Sequence, residues 1–438
     1  MCIRDRIEDG DFTGKMAEAR FLRGHFNFQI QVMWGNVPYI GEEEFGNSEF
    51  NQPNTGNIWD RIEADFQFAV DNLPDTQAEV GRPTSWAAKS YLGKTFLHQS
   101  EWSNAASMLN DVVNNGPYSL LPDFVSNFRS EGENGSESIF AIQFTTDAGQ
   151  SFNANSAGAL NFPNPGPFGS CCGFYQPTQD LANAFQTDAD GLPLLDTYND
   201  QDISNDYGVL SADAFSMHTG NLDPRIDYTV GRRGIDYNGY GAHVGSDWIR
   251  ATFADISGPY LPKKNVYWAD DAGNTQATGA WGQQLSGINY HVMRYADILL
   301  MAAEAAVETG DLATALTNVN LVRNRAKGSS YVQAVGGGGD AANYVIEPYA
   351  DFSNADVARS AVRFERRLEL GMEGHRMFDI RRWGVATQVM NDYFANEART
   401  IANFGDKVSP FEDRHNLFPI PLGAIDLSGG ILTQNPGY

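Results

Sequence analysis

Two stretches of the chain share one spacing of small and apolar residues. In SWAAKSYLGKTFLHQSEWSNAASMLNDVVNNGPYSL, Gly93 is followed by Phe96, Ala105, Leu109, Val112 and Pro117, at offsets of 3, 12, 16, 19 and 24. In YADILLMAAEAAVETGDLATALTNVNLVRNRA, Ala303 is followed by Ala306, Ala315, Val319 and Val322, at offsets of 3, 12, 16 and 19. Trp102 and Leu312 both take offset 9. Small residues at these places let two antiparallel helices approach closely, and the offsets are those of a tetratricopeptide-type hairpin. Helical hairpins are expected over 85–116 and 293–326, and the fold class is mainly α.

Apolar periodicity predicts further helices over 16–34, 57–73 and 356–383. Gly35 and Pro38 stop the first, and Pro83-Thr84-Ser85 open the first hairpin. The centre differs. SIFAIQFTT (138–146) alternates as a strand does. From Gln150 to Gly287 the chain is rich in Gly, Asn, Asp, Pro and aromatics, with a short helix expected at TQDLANAF. So long a loop-rich insert with short strands is functional or pinned by its neighbours. The chain divides into an atypical start (1–15), a helical region (16–149), the loop-rich region (150–290) and a second helical region with an extended tail (291–438), forming one unit overall. No apolar stretch precedes Cys2 in MCIRDR, and missing upstream sequence is expected.

With 42% hydrophobic and 19% charged residues among 438, a large core is affordable in area. A formal charge of −25 argues against nucleic acid or a bare anionic membrane surface, both of which need basic patches. No run of 18 apolar residues exists to span a bilayer. Cys171 and Cys172 are adjacent and allow either a vicinal disulfide or two thiols. The histidines form no HExxH or H-x₃₋₅-H pair, and no GxSxG occurs. Glycines 336–339 lack the Lys-Ser/Thr of a phosphate loop. Asp188, Asp190 and Gly191 read as a turn rather than a calcium loop, and Asp196, Asp200, Asp202 and Asp206 as solvated acids. No metal and no cofactor is expected.

FERRLELGMEGHRMFDIRRWG spaces Glu365, Glu369 and Glu373 by four. On one helix face they would stand ~6 Å apart, close to the ~5–5.5 Å of paired glycosidase carboxylates. Catalytic carboxylates must flank a bond from two sides, whereas these project the same way. Arg363, Arg366, Arg367, Arg376, Arg381 and Arg382 lie in the same segment, with Arg20, Arg23, Arg323 and Arg325 as further partners. An Arg–Glu lattice between packed helices is expected, with Met372, Met377, Phe378, Ile380 and Trp383 on the apolar side.

AEARFLRGHFNFQIQVMWGNVPYI, RYADILLMAAEAAVETGD with NLVRNRA, ERRLELGMEGHRMFDIRRWG and LFPIPLGAIDLSGGILTQNPGY occur in that order. QPTQDLANAF with TDADGLP, and GPYLPKK, add to the set. Together they resemble the SusD/RagB family of Bacteroidetes outer-membrane lipoproteins over almost everything from Met16 to Tyr438. The resemblance implies a SusD-like fold and a lipid-anchored cell-surface protein without enzymatic activity. It implies binding of a glycan or other nutrient and delivery to a SusC-type TonB-dependent transporter. The membrane is then reached only through a lipid anchor absent from this sequence. A protein–protein scaffold without a small-molecule site is the alternative, and a glycoside hydrolase the third reading.

The aromatic-rich centre separates these readings. Trp34, Trp59, Trp86, Trp102 and Trp383 fall in or beside helices and suit core packing. Trp248, Trp268 and Trp281 lie in polar, Gly-rich sequence near Tyr237, Tyr240, Tyr260 and Tyr267. A flat ring with a polar tip suits the C–H face of a sugar, and hydroxyls need a few placed polar groups. The expected ligand-binding set is Trp248, Trp268, Trp281, Tyr267, Tyr240, Arg250 and Asn265, with Asp247 and Gln283 adjacent. The alternative is that these rings anchor long loops onto the scaffold.

Overall fold

The computed structural model describes residues 12–146, 161–169, 173–250, 258–278 and 284–438. Two compact units divide the chain, one of Met1–Gly116 with Phe411–Tyr438 and one of Pro117–Pro410.

Among its described residues the first unit packs four long helices: α1 (Thr13–Trp34), α2 (Trp59–Asn72), α3 (Ser85–His98) and α4 (Trp102–Asn115). Gly35 takes φ 73° to end α1, its N–H reaching the Gln31 carbonyl. The Thr84 hydroxyl caps α3 by accepting from the Ala87 N–H. Phe66 of α2 stacks on Tyr91 of α3 at 4.8 Å, and Phe21 of α1 meets both edge-on. The tail is tied back by Asn435, whose amide donates to the carbonyls of Trp34 and Phe418. Arg20 and Arg23 pair with Glu42 and Asp65 of this unit, not with the Arg–Glu lattice expected of them.

The first hairpin, α3–α4, shows why its offsets matter. A Cβ on Gly93 would lie 2.8 Å from both Cγ and Cδ2 of the buried Leu109. Gly93→Val should therefore destabilise the protein by about 1–3 kcal/mol through overpacking. A urea midpoint unchanged by the substitution would show that the contact does not set the helix separation.

The second unit is built around α6 (Tyr295–Thr309), which follows the short α5 (Gln179–Ala184). Every residue of α6 from Tyr295 to Val307 is buried, as expected of a helix that is apolar on all sides. It packs against α7 (Leu312–Gly328), its partner in the second hairpin, and α8 (Ala355–Glu369). Left-handed Gly310 ends α6, and Asp311 caps α7. The expected helix over 356–383 is broken. α8 stops at Glu369, a turn runs through Leu370–His375, and α9 (Arg376–Arg382) follows. Met372 at φ 67° and Gly374 at φ 86° are left-handed there, which no α-helix accommodates. Glu373 thus leaves the face shared by Glu365 and Glu369, and of the apolar set only Ile380 is fully buried. An additional helix, α10 (Ala386–Thr400), closes the unit.

The strands are short: β1 (Ser138–Ile142), β2 (Val230–Gly231), β3 (Leu261–Pro262), β4 (Gln276–Thr278), β5 (Gln284–Ser286) and β6 (Tyr290–Arg294). They pair antiparallel as β1–β6, β2–β3 and β4–β5. The β1–β6 ladder sets Ser138 against Arg294 and Ile142 against Tyr290. It leads from one side of the loop-rich region straight into α6.

Candidate functional site

The α8–α9 turn sits on a buried charge lattice. Five cations (Arg225, Arg294, Arg323, Arg325 and Lys264) meet five carboxylates (Asp223, Glu137, Glu365, Glu369 and Glu373). Arg294 alone donates to Glu137 at 2.8 Å, Glu369 at 2.6 Å and both oxygens of Glu373 at 2.8 and 2.9 Å. Arg225 bridges Glu365 at 2.6 Å and Glu369 at 2.9 Å. Arg325 pairs with Glu369 and Glu137, and Arg323 with Glu365. Burial raises the Glu369 pKa, but Arg325, Arg294 and Arg225 outweigh it and hold the carboxyl well below the usual range. Burial likewise acts upward on Glu373, yet Arg294 and Lys264 bring it down to about 2. Burial lowers Lys264 to about 8 against the pull of Glu373. The lattice expected at these glutamates is present, with Arg323 and Arg325 in it. All five of its cations come from outside the ERR…RRW segment, whose Arg366, Arg367 and Arg382 pair instead with Asp297, Asp379, Asp180 and Glu304.

Glu373 marks where this lattice reaches a cavity of about 670 Å³. Met372, Glu373 and Gly374 form part of its lining. Tyr290, a residue 43% exposed, enters from the start of β6, and Phe144 from just beyond β1. The Phe144 N–H is held by the Asn289 side chain at 2.8 Å. Ser286 and Asn265 add polar edges. Tyr175 and Gln176 arrive from the loop before α5. Tyr175 is held at φ 53° and is 58% exposed. The buried side-chain amide nitrogen of Gln176 has no hydrogen-bond partner among the described residues. A left-handed backbone, an exposed aromatic residue and an N–H donor unpaired among the described residues thus fall on adjacent positions of the lining.

The same loop borders a second cavity of about 320 Å³, lined also by Tyr393, Ile401 and Phe404. There Glu397 of α10 accepts the N–H groups of Gln179 and Asp180 at 3.3 and 2.7 Å. Burial pushes its carboxyl up to about 7, with the Asp180 N–H opposing and the Asp180 charge assisting.

The residues singled out in the sequence are dispersed. Asn265 lines the large cavity. Trp248 packs edge-on against Tyr237 at 5.9 Å and near His243 at 5.4 Å. Trp268 lies against Tyr228 and the cluster of Phe124 and Phe128, with the Arg129 guanidinium 5.3 Å from its ring centre. Tyr267 is fully buried, its hydroxyl donating to Gln284 at 2.6 Å. Tyr240 meets Phe168 at 4.7 Å. Arg250 lies over the Phe174 ring at 5.2 Å, beside Tyr175 in sequence. Asp247 is exposed, its N–H donating to the Ser211 hydroxyl. Trp281, Gln283, Cys171 and Cys172 lie outside the described residues. Tyr175, Gln176, Phe144 and Tyr290 are not among the ligand-binding residues expected from the sequence. An aromatic pair between Gly173 and Pro177 in a polar loop, and the outward first position of YHVMR, are the signals that would have found them.

Among the described residues no group of His, Cys, Asp or Glu could hold a metal ion. The Asp188 carboxylate accepts the N–H groups of Asp190 and Leu192, a local turn. No helix among them is long and apolar enough to cross a membrane.

Residues 136–438 match the family model described as "SusD family", and residues 4–97 one described as "Starch-binding associating with outer membrane". A SusD-like protein P25 of Formosa agariphila is 25% identical, the alignment covering 100% of this chain and 76% of the relative. The crystal structure of a SusD superfamily protein from Bacteroides vulgatus superposes with a TM-score of 0.66 at 22% identity, covering 100% of this chain and 80% of that one. A laminarin-binding SusD-like protein superposes with a TM-score of 0.62 at 22% identity, covering 99% and 80%. The helical hairpins, the buried Arg–Glu lattice beneath the ERR…RRW turn and a family-model match over most of the second unit lead to one assignment: the chain belongs to the SusD family.

Proposed function

We propose that this protein binds an oligosaccharide in the cavity lined by Tyr175, Gln176, Asn265, Tyr290 and Glu373, and delivers it to a SusC-type TonB-dependent transporter. The observation that carries the binding site is Tyr175, an exposed residue on a left-handed backbone beside the Gln176 amide nitrogen, which has no hydrogen-bond partner among the described residues. Tyr175 and Tyr290 offer rings for the C–H face of a sugar, and Gln176, Asn265 and Ser286 offer polar atoms for its hydroxyls. No cation is among the described lining residues, so an uncharged glycan fits better than a sulfated one. The laminarin-binding relative supports the ligand class.

The protein acts in this reading as a binder and not as a hydrolase. Glu365 and Glu369 are fully buried and ion-paired, and Glu373 is committed to Arg294 and Lys264. None is free to take or give a proton at a glycosidic bond. The outer-membrane association in the matched family description supports a lipid-anchored place at the cell surface. Exposed Phe45, Leu422 and Leu427 of the first unit are 68, 73 and 91% accessible, apolar surface that suits a protein partner.

A glycan array on the intact protein, followed by calorimetry on the best ligand, tests the site. Tyr175→Ala and Tyr290→Ala should each weaken binding by about 1.4 kcal/mol or more, roughly tenfold, with little change in melting temperature. Trp248→Ala and Trp268→Ala should lower the melting temperature, because their rings pack on core clusters. Trp281→Ala completes the series. Unchanged affinity in both tyrosine variants would move the site elsewhere, and release of reducing ends from the bound glycan would end the non-catalytic reading.

A further inference from the structure

A third cavity, of about 250 Å³, opens between α5, the α8–α9 turn and α10. Its walls include the apolar side chains of Leu181, Ile380, Val389 and Met390. Arg376, the first residue of α9, supplies a cation to it.

The other two guanidinium groups of the lining, Arg366 and Arg367, are committed, and so is that of Arg382. Arg366 pairs with Asp297 and Asp379, Arg382 with Glu304 and Asp379, and Arg367 with Asp180. Arg376 differs. Among the described residues it has no ion-pair or hydrogen-bond partner, and its guanidinium carbon lies 6.0 Å from the centre of the Trp383 ring. Burial and the adjacent charge of Arg367 lower its pKa to about 10. The acids nearest to it, Asp379 and Asp180, are held by other arginines. A partly desolvated cation without an anion is costly. A guanidinium is shaped to receive a carboxylate through two parallel N–H donors.

We propose that this cavity binds a small carboxylate with an apolar body, its charged end on Arg376 and its body against Val389, Met390 and Ile380. The volume falls below the ~300–1,000 Å³ of pockets for drug-sized ligands, which restricts the occupant to something near the size of benzoate. The overall charge of −25 opposes anions at long range, so affinity must arise from contacts inside the cavity.

Calorimetry and saturation-transfer NMR on the intact protein, with sodium benzoate as the probe, test this. Benzoate should bind saturably and at least tenfold more tightly than benzyl alcohol or inorganic phosphate. Arg376→Gln should weaken it at least tenfold. Met390→Trp, which adds bulk to the cavity wall and leaves the cation in the sequence, should abolish binding at an unchanged melting temperature; it carries the test if Arg376→Gln fails to fold. Tyr175→Ala should leave benzoate binding intact, separating this site from the glycan cavity. Absence of saturable benzoate binding to the unmodified protein overturns the proposal. So does equal affinity for the alcohol or for phosphate, or retention of binding in both cavity variants.

Discussion

Arg294→Met should cost about 3–5 kcal/mol of stability, the usual consequence of removing one partner from a buried charge network. That is a large share of the ~5–15 kcal/mol available to a folded protein. Arg294 is 1% exposed and touches three carboxylates, Glu137, Glu369 and Glu373. Without it four cations face five buried acids, and the low-dielectric interior magnifies the imbalance. Charge counting makes a second outcome specific. In the double variant Arg294→Met/Glu373→Gln, four cations face four acids again. It should be more stable than Arg294→Met alone by at least about 1 kcal/mol, although it has lost more hydrogen bonds. Urea unfolding of the two variants decides the matter. A double variant less stable than Arg294→Met would show that individual hydrogen bonds, not charge balance, set the energy of the lattice.

Acid should unfold this protein through the same residues. Glu369 and Glu373 have folded-state pKa values below their ordinary 4.5, Glu373 at about 2. For Asp379 burial acts upward, but Arg366 and Arg382 dominate and its pKa is also depressed. A carboxylate depressed in the folded state contributes stability fully present above its unfolded pKa. That stability is lost as pH falls toward the folded value. The window therefore opens near pH 5 and runs down to about 2. For Glu373 the loss is on the order of 3 kcal/mol, and Glu369 and Asp379 add to it. Melting followed by circular dichroism at pH 6, 5, 4 and 3 should show a steep fall across the last steps. Glu373→Gln should start lower at pH 6 and fall less steeply. An equal slope in that variant would place the acid sensitivity outside the lattice.

How far these properties could be read in advance depends on the range of the interaction. The hairpins were legible because their signal is local. Gly93 and Leu109 meet within one helical pair, and Ala303, Ala315 and Val319 are all buried in the other, so spacing alone reports the packing. The break at Leu370–His375 was less so. Apolar and charged periodicity continues across it, and only Gly371 and Gly374 hint at a turn, while the left-handed residue between them is Met372. Carboxylates and arginines in ERRLELGMEGHR announced a lattice because buried charges need partners. Which partners was another matter. Glu137 and Arg294 lie 157 residues apart, and Arg225 lies 140 from Glu365.

The site shows the same division more sharply. Residue type and loop context pointed to tryptophans, since an aromatic in polar sequence has no local apolar face to join. Trp248 joins such a face in a cluster that includes Phe162 and Ile288, and Trp268 in one of Phe124, Phe128 and Tyr228, each built in part from distant chain. Tyr175 and Tyr290, 115 positions apart in the numbering, are brought to one cavity by the packing of β6 and the loop before α5. By itself the sequence determined a mainly helical SusD-like chain with paired hairpins and a charge lattice under ERR…RRW, because helix period, small-residue spacing and charge complementarity act over short distances. Tertiary structure alone decided which aromatics stay exposed, where Glu373 meets the cavity and why Arg376 has no partner among the described residues, because exposure and pairing are set by residues far away in the chain.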